Sequence, residues 1–120
     1  MSDIELLARF WNVKIPNELE CYWKDAESFE GFCGDNQKGQ YILFYSARDA
    51  LKEFGMETKE FMPHGFLPLG GNGGGEFIVF SEDRGYGLLP AINGGADDFH
   101  FIANNLDEFW EKSKGGRWFG

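Results

Sequence analysis

Apolar residues recur at helical spacing from the start of the chain. Ile4, Leu7, Phe10 and Trp11 follow a Ser2-x-x-Glu5 capping box and predict a first helix over Ser2 to Trp11. Pro16 suits the first position of a second helix, because its fixed φ is compatible and its missing N–H has no helical partner there. Leu19, Tyr22, Trp23 and Ala26 form that helix's buried stripe. From Ser28 to Gly39 the chain is rich in Gly, Asp and Asn around Phe29 and Phe32, which predicts a short strand and a turn. Tyr41-Ile42-Leu43-Phe44-Tyr45 is too brief for a helix and reads as a strand. Ser46 then caps a third helix, with Asp49 in its first turn, Ala50, Leu51 and Phe54 on one face and Gly55 at its C-terminal cap.

The second half reads as strands. After a polar loop from Met56 to His64, Gly65 to Leu69 forms a strand in which Pro68 implies an edge or an irregular position. Phe77-Ile78-Val79-Phe80 is apolar on both alternations, so both faces of the sheet are expected to be covered there. Glu82 to Gly85 turns the chain into Tyr86 to Leu89, giving a hairpin. A Gly-rich connection from Ala91 to Asp98 leads to a strand at Phe99 to Ile102. A last helix follows, capped by Asn104 or Asn105, with Leu106, Phe109 and Trp110 inward. Trp118 and Phe119 are apolar enough to dock the tail. Together these elements predict one α+β domain over residues 1–120. Its sheet is mostly antiparallel, with room for a mixed pairing, and N-terminal, central and C-terminal helices pack on it.

Composition sharpens this picture. Thirteen Phe and four Trp supply a core without need of a disulfide or metal. Cys21 and Cys33 lack the spacing of a zinc or redox motif and are expected to be buried free thiols. The acids in Met1-Ser2-Asp3-Ile4-Glu5 stand where a secretory signal carries Lys or Arg, so a cytoplasmic location is expected. No run approaches the ~20 apolar residues of a membrane span. A formal charge of −9 opposes binding to nucleic acid or anionic lipid and favours encounter with a basic protein.

Candidate chemistry is sparse. Gly70-Gly71-Asn72-Gly73-Gly74-Gly75-Glu76 raises the question of a phosphate cradle, but a strand follows it where a cradle needs a helix N-terminus, and no Lys is at hand. Those glycines are better read as backbone geometry. His64 and His100 have no second metal ligand at helical spacing, and no serine or cysteine stands in a nucleophile context. The acid pairs Glu82-Asp83 and Asp97-Asp98 are more often solvated turn residues than catalysts or ligands. No catalytic residue, metal site or cofactor is therefore assigned. The candidate partner-binding residues are Asn72, Gly73, Gly74, Gly75, Glu76, Asp83, Asp97 and Asp98. The competing reading is a small-ligand or enzyme site built from the glycine loop with Glu76, Asp83 and His100.

The succession "IPNELECYW", "YILFYSARDALKEFG", "GFLPLGGNGGGEFIVFSEDRGYGLLP" and "FHFIANNLDEFWEKS" resembles the SUKH superfamily, the Smi/Knr-type domain of fungal cell-wall regulators and bacterial immunity proteins. The most specific stretch is the strand, Gly-Asn-Gly-Gly-Gly-Glu, apolar strand and hairpin, closed by the helix carrying Phe109 and Trp110. Family members often have Asp at the position of Glu76. The Asn-Gly turn usual after the second helix is replaced here by Glu30-Gly31 and Phe32-Cys33-Gly34. The resemblance implies helices packed on an α+β sheet and no catalytic residues. It also implies a cognate protein toxin as partner, with a basic, nuclease-type toxin compatible with the charge; an intracellular scaffold or regulator is the fungal counterpart.

Overall fold

A computed structural model describes residues 2–34, 39–92 and 95–118. Helix α1 (Asp3–Trp11) begins as predicted, with the Ser2 hydroxyl accepting from the Glu5 N–H at 3.2 Å. Helix α2 (Asn17–Asp25) starts one residue later than expected: Pro16 is its cap, and the Pro16 carbonyl accepts from the Glu20 N–H. Strands β1 (Phe29–Phe32) and β2 (Tyr41–Phe44) follow, then α3 (Ala47–Glu53), whose Ser46 hydroxyl accepts from the Asp49 N–H at 3.1 Å. Gly55 does not end α3. Phe54 does, and Gly55 starts α4 (Met56–Phe61), in the segment expected to be a loop. Met-Glu-Thr-Lys-Glu-Phe is too short and too exposed to show the periodicity that marks a helix in sequence.

Strands β3 (Phe66–Gly71), β4 (Glu76–Ser81), β5 (Gly85–Pro90) and β6 (His100–Ala103) complete the sheet, and α5 (Leu106–Lys114) closes the fold. Its cap is Asn105, whose side-chain oxygen accepts from the Glu108 N–H at 2.8 Å. Among the described residues six strands lie in sequence order and every pairing is antiparallel, so the sheet is a curled meander with helices around it. Pro68 sits in the interior strand β3, not at an edge, and is accommodated by a register shift between Pro68 and Gly70. Gly70 is forced by a neighbour: a Cβ there would lie 1.8 Å from the Leu43 carbonyl oxygen.

The sheet's two faces are covered unequally. On one, Ile42, Phe44, Ile78, Phe80, Tyr86 and Leu88 are all buried. The Phe44 ring meets Tyr22 of α2 at 5.4 Å and Phe109 and Trp110 of α5 at 5.9 and 5.3 Å, so α2 and α5 close this face. Trp118 docks beside them, its indole N–H donating to Ser113 at 2.8 Å; Phe119, expected to dock with it, lies outside the described residues. The Glu18 carboxylate fastens the corner, accepting from the Tyr86 hydroxyl at 2.8 Å and from the Leu106 N–H at 3.0 Å. An anion at the first turn of α5 also suits that helix's dipole. Burial, and then Glu18, hold the Tyr86 hydroxyl protonated far above the usual tyrosine range.

The opposite face carries Tyr41, Leu43, Phe77, Val79 and Leu89. Val79 and Leu89 are buried, as the apolar run of β4 requires, but Tyr41, Leu43 and Phe77 are only half-buried. Cover here comes from Phe99, whose ring lies against Gly87 opposite Val79, and from the end of α3, where Phe54 meets Tyr45 and Phe77 edge-on at 5.4 and 5.7 Å. Of the two thiols, Cys33 is buried, whereas Cys21 lies exposed on α2, contrary to the expectation for both. Residue 21 falls on the solvent side of the helix whose buried residues are Leu19 and Trp23.

Candidate functional site

The glycine loop joins β3 to β4 and is built around Asn72. Its side-chain oxygen accepts from the Gly74 N–H at 2.8 Å and the Glu76 N–H at 3.3 Å, while its amide donates to the Glu76 carboxylate at 3.1 Å. Gly73 and Gly75 take φ of 75° and 87°, where a side chain would be strained. Two of the backbone donors a phosphate would need are thus already committed to Asn72. Gly73 also lies against the Tyr41 ring, 3.1 Å from where its Cβ would stand. The loop is therefore a hairpin connection that rests on β2 and holds Glu76 in a fixed position.

The other predicted site residues lie elsewhere. Asp83 is in the β4–β5 turn, at the opposite end of β4 from Glu76, and lines a cavity of about 360 Å³ with His64, Ser81, Glu82 and Arg84. Asp97 and Asp98 form an exposed 3-10 turn (Ala96–Asp98), where the Asp98 carboxylate accepts from the Gly95 N–H at 3.0 Å. Arg84 ties the two turns together by donating to the Ala96 carbonyl at 2.6 Å. The eight candidate residues thus fall into two groups, Asn72 to Glu76 at one end of β4 and the three aspartates at the other. His100 joins neither: it pairs with Leu88 across the closed face, and its Nε2 lies 2.6 Å from the Trp118 carbonyl oxygen. Glu76, Asp83 and His100 are not assembled into one polar cluster.

What sequence reading missed lies beside the glycine loop. Leu43, Tyr45, Phe54, Gly70, Gly71, Gly75, Glu76, Phe77 and Ala91 line a shallow groove of about 210 Å³ on the open face. Its floor is apolar, and the loop backbone forms one wall. Burial, then the carboxylates of Glu53, Glu30 and Asp49, push the Tyr45 hydroxyl above the usual tyrosine range. The signal was present in the strand, since Tyr41, Leu43 and Tyr45 alternate with Ile42 and Phe44, but their incomplete cover is a tertiary fact. A larger cleft of about 440 Å³ among the ends of α1, α2 and α3 has a mixed lining that includes Asp3, Ser28, Ser46 and Arg48. Among the described residues no group of three or more His, Cys, Asp or Glu could hold a metal ion.

The family model described as SMI1 / KNR4 family (SUKH-1) matches residues 2–112. The chain belongs to this family. No curated protein and no solved structure matches it. SUKH-1 domains are in general non-catalytic and act through contacts with other proteins. The matched residues include β3, the glycine loop, β4 and β5, and so the hairpin beside the groove. Among the described residues, no helix is long and apolar enough to cross a membrane.

Proposed function

We propose that the chain is an immunity protein that acts in the cytoplasm by binding and neutralising a cognate protein toxin, without catalysing a reaction. Membership of the SUKH-1 family carries this reading. Three of the side chains that could have done chemistry support it, because they are engaged in holding the fold: Asn72 shapes its loop, Glu76 accepts from Asn72, and Asp98 braces the 3-10 turn. A formal charge of −9 suits a basic toxin of the nuclease type, since complementary charge raises association rates. The test is protection. Co-expression with the toxin encoded beside its gene is expected to restore growth, and the two proteins are expected to purify as a stoichiometric complex. Failure to bind that toxin, or the lack of any toxin gene nearby, counts against the immunity role and in favour of an intracellular scaffold or regulator.

A further inference from the structure

Register places a continuous aromatic and aliphatic strip on the open face. Across β1 and β2, Phe32 pairs with Tyr41 and Glu30 with Leu43, so these four side chains share one side of the sheet. Leu43 in turn pairs with Gly71, and Gly71 with Phe77. The Phe32 and Tyr41 rings meet edge-on at 5.2 Å, and Phe32 is 54% exposed. From Phe32 the strip runs through Tyr41 and Leu43 into the groove floored by Tyr45, Phe54 and Phe77. An apolar surface of this kind, left open and bounded by polar groups, marks a contact site in a soluble protein.

Carboxylates stand at the border of the strip. Glu76 stands in the groove wall, pinned by Asn72. Glu30 stands beside Leu43, its carboxylate accepting from the Tyr41 hydroxyl. The charges that act on the Tyr45 hydroxyl, from Glu53, Glu30 and Asp49, are all carboxylates. Two glycines, Gly71 and Gly75, leave the wall without side chains, so a partner's backbone can approach the loop closely. A volume of about 210 Å³ admits one large apolar side chain, not a small-molecule substrate of ordinary size.

We propose that this groove is the docking site for a basic protein partner, which inserts one leucine or aromatic side chain over Leu43, Tyr45 and Phe77 and sets flanking Lys or Arg against Glu76, Glu30 and Glu53. The proposal rests on the reading of the chain as a protein binder and specifies the surface used. It separates the candidate residues of the glycine loop, which belong to the site, from Asp83, Asp97 and Asp98, which do not.

The probe is an acetylated, amidated Lys-Lys-Phe-Lys-Lys peptide titrated into the isotope-labelled full chain and followed by amide chemical shifts. Saturable shifts confined to residues 30–32, 41–45, 54 and 70–77 are expected, weakening as salt rises. Leu43→Ala with Tyr45→Ala is expected to reduce affinity at least about tenfold while the spectrum stays that of a folded chain. Absence of shifts at millimolar peptide overturns the proposal. So do shifts spread over α1, α4 or α5, or equal binding of Glu-Glu-Phe-Glu-Glu. The two readings fail separately. A neighbouring toxin that binds the doubly substituted chain at full strength removes the groove and leaves immunity standing, whereas a groove that takes the basic peptide in a chain with no toxin partner does the reverse.

Discussion

Residues 42 and 44 point to one side of β2 and residues 41, 43 and 45 to the other, yet the two sides meet different fates. Ile42 and Phe44 are fully buried beneath α2 and α5, in a cluster of Tyr22, Tyr86, Phe109 and Trp110, with Glu18 tying helix to strand to helix. Tyr41, Leu43 and Tyr45 are half-buried, beside Phe32, the glycine loop and the end of α3. The residue types are nearly the same. Around β2 burial is thus concentrated on the closed face, and apolar surface is left partly exposed on the open one.

Substitutions across the two faces test that division. The largest loss is expected from Phe109→Ala, which empties the centre of the closed face and should cost about 3–5 kcal/mol in urea denaturation. Gly70→Ala should cost roughly 3 kcal/mol by driving a methyl group into the Leu43 carbonyl and prising β2 from β3.

Tyr86→Phe is expected to cost about 1.5–3 kcal/mol at neutral pH, because it removes a hydrogen bond to a charged carboxylate. Its pH dependence has a definite sign. The folded Tyr86 hydroxyl ionises far above its unfolded value, so its stabilisation is fully present below about pH 10 and is lost as pH rises further and the unfolded chain ionises first. The stability difference between wild type and Tyr86→Phe should therefore narrow from pH 9 to pH 11, while Tyr22, Tyr41 and Tyr45, shifted in the same direction, act equally in both proteins. A gap that widened with pH would place the hydroxyl in a different environment.

Asn72→Ala should cost about 1 kcal/mol and loosen the loop, seen as faster amide exchange at Gly74 and Glu76. The smallest stability change, below about 1 kcal/mol, is expected for Leu43→Ala on the open face. If Leu43→Ala proved as damaging as Phe109→Ala, the contrast between the faces would be lost.

Much of the fold was legible in local chemistry. Ser2, Ser46 and Asn105 act as caps because each has an oxygen placed for the first free N–H groups, and the two-sided apolar run of β4 announced a buried central strand. Helix α4 was not legible, since it buries nothing and so leaves no periodic trace. The candidate site was legible only in its glycine loop. Asn72 to Glu76 announce themselves by composition, whereas the groove beside them depends on the register that sets Leu43 against Gly71 and Gly71 against Phe77. Asp83, Asp97 and Asp98 looked like equal candidates because sequence gives no distance; in space they stand at the far end of β4.

Hydrogen–deuterium exchange of the chain with and without the toxin encoded beside its gene is the most direct test of a partner bound on the open face. Slowed exchange in residues 41–45 and 70–77, with α5 and the Glu18 corner unchanged, is the predicted result. Protection centred on α2 and α5, or on the 3-10 turn at Asp97 and Asp98, would contradict it.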